Sequence, residues 1–483
     1  MQNRMPLVEA MLKYKNEKVY PFHTPGHKGG RGMEALLKNE LGAGAVAMDV
    51  SLMSELDDIH APSSYIMEAQ NLAAQLYGSD RCFFAVNGTT GAIHAMLIAA
   101  CKAGDKVLVP RNAHRSVAGA LLLANLEPVF AMPEYDAVFG INTQITPQAV
   151  EAMFTRHADI KAVLVTSPNY YGQAADLKAI AGIAHAHNAA LLVDEAHGPH
   201  LGFSSKLPPS ALQCGADACA QSTHKILGAM TQCSLLHVKG GRINLTRAAE
   251  AVSLLTTTSP NYLLMASIDA ARYTLAVQGE KLIERALTAA EKLHKCLSKC
   301  AGLKLLDAGC TGKNGIAGFD CTKVTVNTAA WGYSGTEAGD ALRKAGIAVE
   351  LTDAQNVLFL VTFADGGAEY DAVLGKISRV FAGLEQHKRA PLKEQNCWRL
   401  PEFVTAVPLR STFDAETESL PLQEAEGRIC AEQVSFYPPG IPVLWPGELV
   451  TAEVIDYCLR MKKLGLPVSG PADYTLTELR VIK

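Results

Sequence analysis

The sequence predicts an α/β fold built on a mostly parallel sheet, followed by a smaller α+β domain and a small C-terminal domain. From about residue 82 to residue 238, short apolar segments alternate with helix-like segments. The apolar segments are continuous rather than alternating, as expected for strands that are covered on both faces. After residue 302 the pattern changes to fewer, more widely spaced strands.

Six short segments rich in Val, Leu and Phe and bounded by Gly, Pro or Asp are predicted as strands: CFFAV, KVLVP, PVFAM, AVLVTS, ALLVDEA and SLLHVK. Segments such as TTGAIHAMLIAACKAGD and AADLKAIAGIAHAHNA are predicted as the helices between them. The stretch from Asp194 to Lys225 has room for one helix and one further strand. We therefore expect Lys225 to reach the same edge of the sheet as Asp194.

The domain boundaries are predicted from changes in composition. A long Ala-, Leu-, Glu- and Lys-rich helix is expected over 267–300, and DCTKVTVNT and NVLFLVTF are expected as strands of the smaller domain. The charged segment EQHKRAPLKEQN is typical of a linker. The predicted large domain is 1–285, the small α+β domain is 286–385, and the C-terminal domain is 386–483.

Composition limits the possible functions. The chain of 483 residues is 48% apolar and carries a formal net charge of −4, so nothing indicates a nucleic-acid or membrane-surface partner. Its 12 cysteines lack CxxC spacing, which argues against a zinc cage or a disulfide framework and favours a cytoplasmic protein with reduced thiols. The first residues lack a signal-peptide pattern, and no apolar run reaches membrane-spanning length.

The segment VNGTTGAIHAML, residues 86–97, is a candidate phosphate site. A strand ends here, and Gly88, Thr89 and Thr90 open a helix. The free amides of a helix N-terminus, with two hydroxyls beside them, suit a phosphate group. An ordinary capping turn is the competing interpretation, because threonine is common at helix starts.

The segment LLVDEAHGPHLG, residues 191–202, places an acid at the end of an apolar strand. Asp194 there could bind a metal, a ribose or a protonated heterocyclic nitrogen. His197 and His200 raise the metal interpretation, but no third ligand has suitable spacing. No metal site is predicted.

Two further segments, STHKILG and RNAHRSV, supply a lysine and a histidine. A desolvated Lys225 would be nucleophilic toward carbonyls, with Ser222 and His224 able to bond an anion. His114, which follows the strand KVLVP, could stack on a planar ligand. A solvated lysine and a helix-capping histidine are the competing interpretations. Taken together, a phosphate cradle, an aspartate, a lysine and a stacking histidine at one sheet edge indicate a pyridoxal-phosphate site.

The motifs resemble those of one family nearly from end to end. They are FHTPGHKGG (22–30), SELDDIHAP (54–62), VNGTTGAIHA (86–95), RNAHRSV (111–117), SPNYYG (167–172), VDEAHGPH (193–200), STHKILGAMTQ (222–232), TTTSPNY (256–262), GIAVEL (346–351) and YPPGIPVLWPGE (437–448). The chain resembles the Orn/Lys/Arg decarboxylases, which are fold-type-I, aspartate-aminotransferase-like, pyridoxal-phosphate-dependent enzymes. It is most similar to the short bacterial branch that includes biosynthetic arginine decarboxylases.

The resemblance implies decarboxylation of a basic L-amino acid, with arginine, converted to agmatine and carbon dioxide in polyamine metabolism, ranked first. Lysine, converted to cadaverine, and ornithine, converted to putrescine, are the alternatives. A more distant alternative is another fold-type-I enzyme, an aminotransferase or a lyase. In an aminotransferase, Arg343 or Arg379 would have to bind the α-carboxylate. A non-catalytic protein on the same scaffold is the last alternative, and the presence of Lys225 and Asp194 argues against it.

The resemblance also assigns roles. Lys225 would carry the cofactor covalently, Asp194 would pair with the pyridine nitrogen, and His114 would stack on the ring and assist decarboxylation. The remaining cofactor-binding positions are Gly88, Thr89, Thr90, Ala196, His197, Ser222, His224 and Ser259. Ala196 would pack beneath the ring, and His197 stands where some relatives carry tryptophan. Ser259 would reach the phosphate of the neighbouring subunit, and Glu350 would face the distal cation of the substrate.

The resemblance carries an expectation about assembly as well. Because FHTPGHKGG begins by Phe22, there is no room for the N-terminal wing domain that drives decamer formation in the acid-stress relatives. A homo-oligomer is expected, a dimer at least, with active sites at the subunit interface. The prolines of YPPGIPVLWPGE are expected to fix a rigid turn near the active-site entrance.

Overall fold

A computed structural model of the protein describes residues 2–392, 399–437 and 440–483. The chain divides into two compact units. The first unit contains Met1–Ala100, Leu192–Ser204 and Pro209–Leu282. The second contains Cys101–Leu191, Ser205–Pro208 and Ile283–Lys483. The predicted three-domain division of the chain stays a prediction.

The first unit holds helices and strands from three stretches of the chain. Its helices are α1 (Pro6–Glu17), α2 (Ala35–Leu41), α3 (Ala43–Ala47), α4 (Tyr65–Tyr77), α5 (Gly88–Ala100), α9 (Thr223–Ile226) and α10 (Leu245–Leu255). Its strands are β1 (Arg81–Ala85), β9 (Ala218–Gln221) and β10 (Ser234–Val238). Strand β8 (Ala190–Asp194) and helix α11 (Tyr262–Leu297) have residues in both units.

The strands of the first unit pair in the order β1, β10, β9, β8. Strand β10 runs antiparallel to β1 and to β9, whereas β8 and β9 are parallel, with Asp194 opposite Ala220. Every residue of β8, β9 and β10 is buried, as expected for apolar strands covered on both faces. Because β8 and β9 are parallel neighbours, the residues that follow them emerge at one edge of the sheet.

The expectation that Lys225 follows a further strand to the same edge of the sheet as Asp194 is confirmed. The strand is β9, and Lys225 lies in the single-turn helix α9 that comes directly after it. Before β9 the chain forms turns and a 3-10 helix at Leu201–Phe203. Gly198, Pro199 and the two prolines at 208–209 favour these turns, because glycine and proline disfavour helical backbone.

The second unit contains more, shorter elements. Its helices are α6 (Ser116–Ala124), α7 (Pro147–Arg156), α8 (Leu177–Ala186), α12 (Gly335–Lys344), α13 (Gly367–Gln386), α14 (Leu409–Asp414) and α15 (Ala452–Lys463). Its strands are β2 (Lys106–Pro110), β3 (Glu127–Ala131), β4 (Tyr135–Asp136), β5 (Ile141–Asn142), β6 (Ile160–Thr166), β7 (Gln173–Ala175), β11 (Lys304–Leu305), β12 (Ile316–Phe319), β13 (Lys323–Asn327), β14 (Leu351–Thr352), β15 (Asn356–Leu360), β16 (Thr417–Pro421), β17 (Val434–Phe436), β18 (Ile441–Leu444), β19 (Val468–Ser469) and β20 (Glu478–Ile482).

Strand pairing in the second unit is both parallel and antiparallel. Strand β2 pairs in parallel with β3 and β6. An antiparallel sheet has the order β11, β13, β15, β14, and further small antiparallel sheets are β16–β20 and β18–β17–β19. The predicted strands DCTKVTVNT and NVLFLVTF are confirmed as β13 and β15. Buried Trp331 and Phe381 belong to the core of this region, and Phe436 and Met461 belong to a separate core in the C-terminal part.

The long helix expected over 267–300 is confirmed as α11. The segment EQHKRAPLKEQN lies partly outside the described residues, as do the two prolines at 438–439, so the predicted rigid turn is not described. Within the described ranges, no helix is both long and apolar enough to cross a membrane. The cysteines in those ranges carry free thiols.

Candidate active site around Lys225

Lys225 lies at the carboxyl end of β9, in the single turn of α9. Its Nζ is 3.0 Å from Nε2 of His197, which follows β8. The His197 side chain is buried, and Lys225 is half-buried. The amine of Lys225 is therefore held by a histidine from the turn that follows the neighbouring strand rather than extended into solvent.

Asp194 is the last residue of β8 and is 3% exposed. Its Oδ1 accepts a hydrogen bond of 3.2 Å from the backbone amide of Ala196. Burial raises the pKa of the Asp194 carboxyl, while the charge of Lys225 and the Ala196 amide act to lower it. A cationic group beside this carboxyl would offset the cost of burying its charge.

Glu195, the next residue, has a different environment. Its Oε1 accepts from the Ala211 amide and its Oε2 from the Gln221 side chain, both at 2.7 Å. Burial raises its pKa to about 7. Successive residues at a strand end point to opposite faces, which separates the surroundings of Asp194 and Glu195.

Three hydroxyl groups form a chain of hydrogen bonds beside the start of α5. Thr89 Oγ1 is 2.5 Å from Ser222 Oγ and 2.9 Å from Ser234 Oγ, and the Ser234 hydroxyl donates to the Gln221 carbonyl at 2.7 Å. Each hydroxyl has one proton to donate. Because the Ser234 hydroxyl donates to that carbonyl, it must accept from Thr89. The Thr89 hydroxyl is then used as a donor and must accept from Ser222. Ser222 is thus the hydroxyl that can turn its proton to a ligand while the other two bonds persist.

The backbone around this chain suits an anion. Gly88 has φ +68°, a conformation that favours glycine, and its amide donates to the Gln232 carbonyl at 3.0 Å. The amides of the next residues, Thr89 and Thr90, lie in the first turn of α5, where amides lack acceptors within the helix. The Thr89 side chain is buried and that of Thr90 is exposed.

His224 is oriented by one ring nitrogen. Its Nδ1 is 2.8 Å from the Cys233 carbonyl. Since a carbonyl only accepts, Nδ1 carries a proton, and in the neutral ring Nε2 is then an acceptor. His224 can therefore donate to an anion only when it is protonated.

The structure brings together Lys225, His197, Asp194, Ala196, Thr89 and Ser222. Ser222 adds backbone links, because its amide donates to the Ala196 carbonyl and its carbonyl accepts from the Lys225 amide, both at 3.3 Å. Ser234 and Glu195 belong to this region but were not predicted from the sequence. For Ser234 the available signal was a hydroxyl at the start of the otherwise apolar strand SLLHVK.

Other predicted residues lie elsewhere. Ser259 is exposed, and its amide donates to the Thr257 hydroxyl at 3.2 Å. His114 and Glu350 belong to the second unit. His114 Nδ1 is bonded to Ser116, and exposed Glu350 lines a cavity together with Val349 and Phe359. The predicted roles of these residues stay predictions.

The metal interpretation of His197 and His200 depends on further metal-binding side chains close to them. Both His197 and His200 are buried. In the parts of the chain that the structure describes, no three His, Cys, Asp or Glu side chains are grouped to hold a metal ion.

Comparison with protein families covers most of the chain. The family profile described as Orn/Lys/Arg decarboxylase, major domain, matches residues 5–318. The profile described as Orn/Lys/Arg decarboxylase, C-terminal domain, matches residues 401–470.

The chain belongs to the Orn/Lys/Arg decarboxylase family. This membership confirms the resemblance that the sequence motifs indicated.

Individual members of this family and of its fold are similar over most of their length. A protein named arginine decarboxylase from Bacillus anthracis is 40% identical over 489 residues, covering 100% of this chain and 98% of the relative. The crystal structure of the Francisella novicida lysine decarboxylase matches with a TM-score of 0.86 at 23% identity, over 100% of this chain and 81% of that chain.

A more distant structure tests the predicted fold class. An aspartate aminotransferase from Thermus thermophilus matches with a TM-score of 0.52 at 16% identity, over 66% of this chain and 90% of that chain. At 23% and 16% identity, these two structures are evidence for the fold alone. They confirm the predicted fold-type-I, aspartate-aminotransferase-like architecture.

Proposed function

We propose that this chain is a pyridoxal-phosphate-dependent decarboxylase that converts a basic L-amino acid, with arginine first, to the amine and carbon dioxide. The observation that carries the proposal is the Lys225 amine held by His197 beside the buried Asp194 carboxyl, at the ends of two adjacent strands. Arginine is favoured over lysine and ornithine because a relative that is 40% identical over the whole chain is named arginine decarboxylase. Agmatine would then be the product that enters polyamine metabolism.

The residues around Lys225 fit the cofactor by their chemistry. The Lys225 amine suits an aldehyde, the Asp194 carboxyl suits a protonated ring nitrogen, and the first-turn amides of α5 with the Ser222 hydroxyl suit a phosphate. Ala196, which lies between Asp194 and His197 in the chain, would pack beneath the ring. When bound, pyridoxal phosphate supplies an electron sink for the bonding pair left behind by carbon dioxide.

The protein would contribute proton transfers and orientation. Lys225 Nζ, aligned by His197 Nε2, can hold and deliver a proton to the substrate carbon. The backbone amide of Ser116 donates to His114 Nδ1 at 3.2 Å, so the neutral His114 ring carries its proton on Nε2. His114 would stack on the cofactor ring and use that Nε2 proton during decarboxylation.

Substrate preference would come from charge at the far end of the pocket. Glu350, which is exposed, would attract the distal cation of the amino acid. A guanidinium can bond a carboxylate through two parallel N–H groups, which a lysine ammonium cannot do. A paired contact of this kind would favour arginine, which is therefore the first substrate to test.

The direct experiment measures carbon dioxide release from L-arginine, L-lysine and L-ornithine, with identification of the amine products. We expect arginine to give the highest kcat/KM. Lys225→Ala should lower turnover by on the order of 10³-fold or more and remove the absorbance band of the covalently attached cofactor. Half-buried Lys239, placed just after β10, gives a matched control in Lys239→Ala. No release from any of the three substrates would overturn the proposal.

The aminotransferase alternative predicts a different product. It requires an arginine to hold the substrate carboxylate, and the two candidates, Arg343 on α12 and Arg379 on α13, are both exposed. Pyridoxamine phosphate as the main product would favour this alternative over decarboxylation.

We also propose that the protein is at least a homodimer with active sites at the subunit interface. In the first unit, the large apolar side chains of Phe22 and Leu36 are 91% and 68% exposed. Apolar surface of this kind commonly marks a protein interface. Exposed Ser259 could then reach the phosphate held by the other subunit. Sedimentation analysis at assay concentration should give a mass of at least two chains, and a monomer with full activity would contradict the proposal.

Finally, we propose a cytoplasmic location, which the free thiols in the described ranges support. Fractionation of cells with an antibody against the protein tests it, and recovery in an extracellular fraction would contradict it.

A further inference from the structure

A buried arginine joins the segment of His114 to the C-terminal part of the chain. Arg111 follows β2 directly and lies three residues before His114. Its guanidinium donates to the carbonyls of Pro442 and Val443, at 2.7 and 2.9 Å, and to Glu448 Oε2 at 2.9 Å. Three acceptors more than 330 residues away in the sequence therefore fix one side chain.

Aromatic rings enclose this ion pair. The Arg111 guanidinium carbon lies 5.5, 5.2 and 5.7 Å from the ring centroids of Phe130, Phe403 and Trp445. The Trp445 backbone amide also donates to Glu448 Oε2, at 2.8 Å. The Arg111 and Glu448 side chains are 1% and 2% exposed.

Such a pair is costly to bury. Desolvation lowers the pKa of Arg111 and raises that of Glu448, and their mutual attraction opposes both shifts. Apolar residues of similar volume often stabilise a fold as well as a buried ion pair does, or better. The pair instead fixes the orientation of the groups around it, because the planar guanidinium can bond its partners in only a few arrangements.

The residue that follows His114 is attached to the same part of the chain. Arg115 Nη1 donates to Ser469 Oγ at 2.9 Å. The His114 ring itself is held through Nδ1, which lies 2.8 Å from Ser116 Oγ and accepts from the Ser116 amide. His114 thus stands between two arginines that both bind the C-terminal region, with its ring fixed by the start of α6.

We propose that Arg111 and Glu448 are positioning residues that hold the His114 ring for proton transfer. The inference rests on the proposed function and deepens it. It gives the WPGE end of the motif YPPGIPVLWPGE a role, since Trp445 and Glu448 complete the surroundings of Arg111. Neither residue touches substrate in this scheme, and both act through His114.

The first test is independent of catalysis. Hydrogen exchange of the full-length protein without cofactor is followed by mass spectrometry over a peptide spanning 111–124. Glu448→Gln leaves Arg111 as a buried cation without its counter-charge and should speed exchange of this peptide by about tenfold or more. Asp269→Asn is the matched control, because it weakens an equally buried pair with Arg272 on α11. The control should leave this peptide unchanged.

The second test is a double-mutant cycle on carbon dioxide release. Glu448→Gln should lower kcat by about tenfold or more with little change in KM or cofactor content. In a His114→Ala background, the same substitution should have no further effect on kcat. Arg111→Lys keeps the positive charge but loses the planar guanidinium, and it should give an intermediate loss of kcat. This variant provides a second test if Glu448→Gln folds poorly.

The outcomes separate the two proposals. Unchanged exchange in both Glu448→Gln and Arg111→Lys, or an equal loss of turnover in the His114→Ala background, would overturn the positioning role. A parent protein that releases no carbon dioxide would overturn the proposed function, while the exchange experiment would still decide whether Arg111 and Glu448 order the His114 segment.

Discussion

The Lys225 cluster and the His114 segment are proposed to serve one reaction, yet they are held in different ways. Around Lys225, short side chains bond to one another and to nearby backbone, as in the hydroxyl chain of Thr89, Ser222 and Ser234. The segment around His114 is held from a distance, by the buried Arg111–Glu448 ion pair and by the bond from Arg115 to Ser469. The first region therefore contains many short-range contacts, whereas the second depends on a few contacts between residues far apart in the sequence.

This difference predicts how each region responds to substitution. In the Lys225 cluster, the effect of a change should depend on whether the residue faces the cofactor or the protein interior. In the His114 segment, a change far from the chemistry should be felt at His114. The following substitutions in the Lys225 cluster test the first half of this comparison, and the double-mutant cycle on Glu448 tests the second.

The largest effect is expected for Asp194→Asn. The amide cannot balance a positive charge, so the electron sink is weakened, and we expect kcat to fall by about 10³-fold with cofactor still bound. Steady-state carbon dioxide release and cofactor content, measured by absorbance after denaturation, check this result. A variant with normal turnover would remove Asp194 from its proposed role.

The sequence was sufficient to predict that Asp194 and Lys225 lie at the same edge of the sheet, because Asp194 ends one apolar strand and Lys225 follows the next. It was not sufficient for Ser234 or Glu195, whose roles depend on which face of a strand they occupy. The Arg111–Glu448 pair shows most clearly what a local pattern cannot predict. The two residues are 337 positions apart, and neither sequence motif indicates that its residue pairs with the other.

The next effect is expected for Ser222→Ala, on cofactor affinity rather than turnover. A hydrogen bond to a charged group contributes about 1.5–3 kcal/mol, so the cofactor dissociation constant should rise roughly 10–100-fold. Ser234→Ala is the matched control, because its hydroxyl donates to the Gln221 carbonyl. Equal losses of affinity in the two variants would contradict the proton directions assigned to the hydroxyl chain.

A smaller effect is expected for His197→Phe. Loss of the 3.0 Å contact leaves Lys225 Nζ less well oriented, and kcat should fall by about tenfold. His197→Gln can restore a polar atom near the position of Nε2 and should recover part of the loss. The pH dependence of kcat should also shift in His197→Phe, and an unchanged profile would argue for packing alone.

The smallest effect on turnover is expected for Glu195→Gln, although Glu195 adjoins Asp194. Gln221 Oε1 is buried without a hydrogen-bond partner among the described residues, so Gln221 can rotate its amide to accept from a glutamine at 195. The fold should therefore tolerate the substitution, and kcat should stay near the parent value.

The free energy of unfolding, however, should fall with rising pH because of Glu195, and Glu195→Gln should abolish that part of the pH dependence. The folded-state pKa of Glu195 is raised to about 7, so its contribution to stability is present below the ordinary carboxyl pKa and is lost as pH rises through 7. Between pH 4 and pH 8 the parent should lose about 3 kcal/mol relative to Glu195→Gln. Urea unfolding without cofactor, at fixed protein concentration, measures this difference, and Glu416→Gln, whose side chain is 85% exposed, is the control. A parallel pH dependence in parent and variant would mean that Glu195 is ionised at neutral pH and that the two neighbouring carboxyls differ less than their surroundings indicate.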